Sequence, residues 1–305
     1  MALLRGKTAV GLDIGDRYLR VAQLRSGSRE PEWLQYREEE LLPGWVEGGV
    51  IWDFAALLRK LQSVVREMKL QRQRTVAAIP AASVYSRTLK LPPMPLHELR
   101  AAARLQALTF LPLPPEETVS DIVPGAKREE NGRVTQEVFF AAIRRAPAEA
   151  LEQLCARSRL RLAAAESEAD ALHRLIVRAH HPDPIVLLYT EPGRLLLAAY
   201  ANRRPLFLRS LNAGEGATRP ALSLRPELSR AFNDLERLHQ LRPDNIILCG
   251  SAEHNGRYAD MAADISRSTV TTLDAAGMLR AGDAPAPEAA ERWLLPLGLA
   301  CRLLV

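Results

Sequence analysis

The chain has 305 residues, 47% of them hydrophobic and 25% charged, with a formal net charge of +5. That length is more than one compact core takes up, so two lobes are expected, and the composition excludes a disordered or fibrous chain. The basic excess is mostly arginine spread along the whole sequence, with only short runs at Gln71–Arg74 and Asn202–Arg204. It reads as solvated surface with at most weak attraction to anionic lipid, because a nucleic-acid footprint needs clustered basic residues.

Thr8–Leu12 reads as an apolar strand, Asp13–Arg17 as a tight polar turn relieved by Gly15, and Tyr18–Leu24 as a returning strand. A further strand is expected near Glu32–Glu40. Residues 53–70 carry the clearest helix: Asp53 can cap it, and Phe54, Leu57, Leu58, Leu61, Val64, Val65 and Met68 form one apolar stripe. Strands follow at Thr75–Ile79 and Val84–Leu91, then a helix over Leu96–Phe110, a proline-rich stretch over 111–115, a turn at Asn131-Gly132 and a strand over Val134–Ile143. The block at about 81–140 reads as a small β-α-β insertion. Pro147 opens a helix at its first turn, and another helix is expected over 168–179.

His180–Pro184 reads as a boundary between lobes rather than a metal site. Ile185–Tyr189 and Leu195–Tyr200 flank the turn Glu191-Pro192-Gly193, and Leu206–Leu211 extends that sheet. Residues 212–224 read as a loop. A helix begins at Pro226 with Leu228, Phe232, Leu235 and Leu238 on one face, Asn245–Cys249 is a strand ended by Gly250, Ala281–Pro287 is a loop, and a last helix starts near Arg292. Two groups of alternating strands and helices, each opened by a hairpin, argue for two α/β lobes with mixed sheets. Cys155, Cys249 and Cys301 show no metal or disulfide spacing and fit a reducing compartment. The opening Met1–Lys7 is too short and polar for a signal peptide, and no apolar run approaches a membrane span. The four tryptophans, Trp33, Trp45, Trp52 and Trp293, are too scattered for a stacking platform.

Val10-Gly11-Leu12-Asp13-Ile14-Gly15 is the strongest chemical hint. An Asp-x-Gly turn between strands can set backbone N–H groups against a phosphate, and the Asp can hold a hydrated metal; an ordinary hairpin turn is the competing reading. With Leu19–Leu24 it resembles the first phosphate hairpin of the PilM family, the actin-like proteins of type IV pilus assembly. Ala78-Ile79-Pro80, Ser86–Pro92 with Met94-Pro95, Phe110–Glu117 with Asp121, Phe140–Ile143, Glu166–Leu172 and Leu297–Arg302 resemble that family in the same order. Phe110–Glu117 looks like its helix followed by a proline-rich entry into a strand.

The resemblance implies an actin-like (ASKHA) two-lobed α/β fold with mixed sheets and a small inserted subdomain. The first lobe would cover 1–180 with the subdomain at about 81–140, the second, shortened lobe 181–290, and a helix in 291–305 would return to the first lobe. It implies a cytoplasmic scaffold at the inner face of the inner membrane, binding the cytoplasmic N-terminal peptide of a single-span PilN-like protein in a groove beside the subdomain. Type II secretion has a counterpart of similar fold, and self-association is left open. Leu89, Leu91, Leu108, Leu111 and Pro112 are the candidate partner-binding residues, with ordinary subdomain core as the alternative for Leu108, Leu111 and Pro112.

Many members of that family bind ATP between the lobes. The corresponding residues here are Asp13, Gly15, Asp16, Arg17, Glu166, Glu191, Gly250 and Ser251, with Glu168 as a further cleft candidate. The pattern departs from the family at several of them. Asp16 replaces the usual Ser or Thr, Arg20 the Lys, Tyr189-Thr190-Glu191 the second Asp-x-Gly, and Gly250-Ser251 a pair of glycines, while a helix and lysine expected between 214 and 226 are missing. A degraded nucleotide site is therefore expected, with no catalytic residues and no metal. The alternatives are a PilM-type protein that still binds ATP and a small-molecule kinase on the same fold.

Overall fold

A computed structural model of the chain describes residues 6–27, 30–130, 132–214, 224–250, 252–274, 278, 280–284, 287 and 289–304. The first sheet is built by β1 (Thr8–Ile14), β2 (Tyr18–Arg25), β3 (Glu32–Glu40), β6 (Arg74–Ile79), β10 (Arg161–Ser167) and β16 (Arg280–Ala281), in the order β10-β6-β1-β2-β3-β16. The second is built by β11 (Ile185–Glu191), β12 (Gly193–Ala201), β13 (Arg204–Gly214), β14 (Asn245–Gly250) and β15 (Thr269–Thr272), in the order β13-β12-β11-β14-β15. The plan is the same twice. Three antiparallel strands open each sheet, and parallel strands extend it on the side of the first strand. This is the α/β architecture of two lobes with mixed sheets.

Six of the seven residues of β1 are buried, which marks a strand covered on both faces. On one face Val10, Leu12 and Ile14 pack with the apolar stripe of α1 (Phe54–Glu67) and with Leu154 of α3 (Arg145–Arg157). Asp53 caps α1 by accepting from Ala56 N at 2.9 Å. On the other face lie α4 (Glu168–Arg178) and α7 (Leu294–Cys301). All eight residues of α7 are buried, so it is a core helix rather than an amphipathic one. Gly11 makes that contact: a Cβ there would fall 1.8 Å from Pro296 O. The second sheet carries α5 (Leu224–His239) and α6 (Ala252–Ser266). Trp33 and Trp293 meet edge to face within the first core, centroids 6.3 Å apart, and the three cysteines are free and buried.

The inserted subdomain consists of β7 (Tyr85–Leu91), α2 (Leu96–Ala107), β8 (Thr118–Glu130) and β9 (Arg133–Arg144), with sheet order β7-β9-β8. It has one strand more than a β-α-β unit. Pro124 and Gly125 obscured β8 in the sequence, and a bulge between Pro124 and Lys127 absorbs them. A second missed element is the minimal hairpin of β4 (Val46–Glu47) and β5 (Val50–Ile51). Leu238 is 55% exposed and does not join the buried face of α5. The subdomain also touches the second lobe. Thr88 Oγ1 donates to Leu206 O at 2.8 Å, and Ser86 Oγ to Leu208 O at 3.3 Å.

Candidate functional site

The turn after β1 and the turn between β11 and β12 face each other across a cleft of about 450 Å³. Gly15, Asp16 and Arg17 line one side, Glu191, Pro192, Gly193 and Arg194 the other. Beneath them lies a lattice of ion pairs between the lobes. Arg20, on β2, donates from Nε to Glu38 at 2.6 Å, while its Nη1 lies 3.3 Å from Asp13 and 3.6 Å from Glu191. Arg194, on β12, donates to Glu168 at 2.6 Å and to Glu191 at 2.6 Å, with a further short contact to Glu168. Tyr189 Oη donates to Glu191 at 2.7 Å.

Electrostatics follow from burial and pairing. Burial, followed by the charge on Glu191, pushes the Asp13 carboxyl up to about 7, against the smaller pull of Arg20. Burial works in the same direction on Glu191, but Arg194 and Arg20 overcome it and hold that carboxyl below its ordinary value. The Tyr189 phenol is pushed well up, first by burial and then by Glu191. Two arginines are thus shared among Asp13, Glu38, Glu168 and Glu191, and each makes at least two of these contacts. Such a network is costly to break once buried, since any group left behind loses both water and partner.

A second space opens where the first lobe meets the subdomain. It is a groove of about 170 Å³, walled by Val46, Val50 and Ile51 of the β4–β5 hairpin, by Ile79 at the end of β6 with Pro80 and Ala82 after it, by Tyr85 and Ile143 of the subdomain, and by Leu151 of α3. Its lining is mostly apolar. A third depression, about 320 Å³, lies on the subdomain between α2 and β8, over Phe140, with Leu108 and Leu111 on its rim.

No protein-family model and no curated protein matches the sequence. Among solved structures, a chain of the "PilM-PilN type IV pilus biogenesis complex" superposes with a TM-score of 0.82 at 23% identity, over 97% of this chain and 98% of that one. The chain has a PilM-like actin fold. The cytoplasmic domain of EpsL, an inner membrane component of the type II secretion system of Vibrio cholerae, aligns with a TM-score of 0.54 at 9% identity, over 98% of this chain and 96% of that one. A Bacteroides thetaiotaomicron protein described as having an actin-like ATPase fold and unknown function aligns with a TM-score of 0.53 at 9% identity, over 88% and 91%.

Within this PilM-like fold, the sequence-predicted residues fall into separate places. Asp13 lies beneath the cleft, and Gly15, Asp16, Arg17 and Glu191 line it. Gly15 is not required by the turn, since a Cβ there would make only an ordinary 3.5 Å contact with Tyr18 O. Asp16 does not simply project at the cleft: it accepts from Gly48 N at 3.0 Å and Gly49 N at 3.4 Å. Glu166 needs correction. Its carboxylate is held by Arg174 at 2.7 Å and by Arg302, on the side of α4 and α7 away from the cleft lattice. Glu168, two residues on, is the one that reaches Arg194. Gly250, at φ +109, permits a backbone contact: a Cβ would fall 2.1 Å from Thr190 O, and the residue does not line the cleft. Ser251 and the deletion expected between 214 and 226 lie largely outside the described residues, which exclude 215–223 and 251.

The expected partner residues also divide. Leu89 and Leu91 are buried in the subdomain core against Leu99 and Phe140, so they are not available to a partner. Leu108 and Leu111 border the outer depression, Pro112 is exposed beside it, and none of the five lines the junction groove. Sequence reasoning missed Ile51, Tyr85, Ile143 and Leu151, which come from four separate elements. It also missed Arg194, 26 residues from its partner Glu168.

Proposed function

We propose that this chain is a scaffold of type IV pilus, or related type II secretion, assembly that captures the cytoplasmic N-terminal peptide of a PilN-like inner-membrane protein. The observation that carries this reading is the apolar groove at the junction of the first lobe and the subdomain. It sits beside a short hairpin whose strands offer edge N–H and C=O groups, and an extended peptide is bound by that combination of strand edge and side-chain pocket without any catalytic step. The likeness in fold to a chain of a PilM–PilN complex supports the choice of partner. Among the described residues no helix is long and apolar enough to cross a membrane, so on this reading the partner supplies the anchorage. Isothermal calorimetry with a synthetic peptide matching the N-terminus of the PilN-like protein encoded alongside tests it. Absence of binding at high micromolar peptide sinks the reading.

The cleft belongs to the same proposal. A magnesium-bound triphosphate does not suit these residues. Glu191 presents a carboxylate where a second phosphate turn would offer N–H groups, Pro192 has no N–H to offer, and Asp13, Arg20 and Arg194 already have partners. The scaffold is therefore expected to work without nucleotide. A clear rise in Tm with magnesium and ATP, abolished by Asp13→Ala, would overturn this half while leaving peptide capture standing.

A further inference from the structure

The cleft and the groove share a wall. Gly48, Gly49, Pro80 and Ala82 line both spaces, so a thin stretch of backbone separates them. That wall has little stability of its own. β4 and β5 are two residues each, the adjoining segment is a single 3-10 turn over Ala81–Ser83, and a two-stranded ribbon of this size does not hold itself in water.

The wall is held largely by groups of the cleft. Asp16 accepts from Gly48 N and Gly49 N, gripping the tip of the hairpin. Ser83 Oγ donates to Gly48 O at 3.1 Å and ties the hairpin to the 3-10 turn. Gly49, at φ +80, sits so close to that turn that a Cβ would fall 2.7 Å from Pro80 Cγ, so the two pieces shift together. The turn in turn hangs on Glu168, which accepts from Ala81 N at 2.8 Å. Glu168 is clamped by both terminal nitrogens of Arg194, a residue of the second lobe. An unbroken chain of contacts therefore runs from the second lobe to the groove wall.

We propose that Asp16, Glu168 and Arg194 are positioning residues for peptide capture: none of them lines the groove, yet together they set its wall, so that the placement of the second lobe governs peptide affinity. This rests on the adaptor reading above. Linkage makes the effect reciprocal, and a seated peptide tightens the cleft lattice by the same factor. The lattice then does structurally what a bound ligand does in a hinged cleft, holding the lobes in one relation with groups of the chain itself.

Asp16 gives the cleanest test because it is exposed and its removal leaves the core intact. Asp16→Ala removes both acceptors, and Asp16→Asn keeps one carbonyl oxygen. Glu168→Gln keeps an acceptor for Ala81 N while losing the ion pair. The full chain is titrated with the synthetic PilN-like peptide, and amide hydrogen exchange is followed over 46–51 and 80–85. Asp16→Ala is expected to weaken binding by about fivefold or more, the low end of ordinary coupling between sites. Asp16→Asn recovers part of it, Tm stays near wild type, and exchange over 46–51 quickens. Wild-type affinity in both Asp16→Ala and Glu168→Gln overturns the inference, as does weakened affinity with unchanged exchange. If the wild-type chain binds no peptide, the adaptor reading falls. The exchange measurement then still decides whether these residues hold the wall, and unchanged exchange over both segments overturns that too.

Discussion

The cleft and the groove lie on opposite sides of one backbone layer, and they have opposite chemistry. The floor of the cleft is polar and internally satisfied: four carboxylates, two arginines and a phenol pair with one another. The groove is apolar and open, with Ile51, Tyr85 and Leu151 only half-buried. Where a site's polar groups already have partners, an incoming ligand must displace them and recovers little. Where apolar surface is left in a concave space, an incoming side chain gains from leaving water. Binding capacity therefore sits on the groove side, although the sequence motif that first draws attention, Asp13-Ile14-Gly15, sits on the cleft side.

The largest effect should come from breaking the lattice. Arg194→Ala leaves Glu168 without its guanidinium in a buried setting and Glu191 with only the more distant Arg20, and removing one partner of a buried pair costs about 3 kcal/mol or more. Urea unfolding measures it. A loss below about 1 kcal/mol would mean that the pairs behave as exposed ones do and that the contrast between the two sides is false.

Next comes the groove. Ile51→Asp places a charge in the apolar lining and is expected to weaken the PilN-like peptide by at least about tenfold, about 1.4 kcal/mol, with a much smaller change in stability. Calorimetry beside thermal unfolding separates the two.

An effect spread over a pH range concerns Asp13. Its carboxyl titrates at about 7 in the fold against an ordinary 3.8. Between those values the folded protein keeps a proton that the unfolded chain has released. The associated stability is full below about pH 4 and is lost as pH rises towards 7. Asp13→Asn removes that dependence, so the variant should gain on wild type, by up to about 1.4 kcal/mol per pH unit, across this window and keep a constant advantage above it. Urea midpoints across the range read the slope, and parallel curves would show that Asp13 is ionised throughout.

The smallest expected effect is at the outer depression. Leu108→Lys changes a side chain that is 51% exposed, so stability should move by no more than about 0.5 kcal/mol and peptide affinity should not change. If instead this variant loses the peptide and Ile51→Asp does not, the docking surface is the outer depression.

Much of the fold was legible because it rests on local patterns. The α1 stripe and its Asp53 cap, the β1–β2 hairpin and the β11–β12 turn at Gly193 all follow from periodicity and turn chemistry. Elements without such a pattern were not legible. β4 and β5 are too short to show a period, and β8 hides its strand behind a bulge at Pro124-Gly125. The site was less legible still. Arg20 reads as a conservative exchange for lysine, yet its guanidinium can reach Asp13, Glu38 and Glu191 at once, which an ammonium is poorly shaped to do. The choice between Glu166 and Glu168 depended on which face of the β10–α4 corner each occupies, and only the packing of α4 and α7 decides that.

The contact between Gly11 and Pro296 has a consequence for how the chain is made. β1 is made well before α7, which covers part of one of its faces: Gly11 and Pro296 are 285 positions apart in the chain. Until residues 294–301 emerge, only α4 is present to cover that face of the first sheet. Contacts this distant in sequence are slow to form, and apolar strands left waiting are prone to aggregate. The second sheet, by contrast, closes on strands drawn from 185–272 alone. A lobe whose core joins segments this far apart in the chain is where a nascent-chain chaperone would be expected to bind.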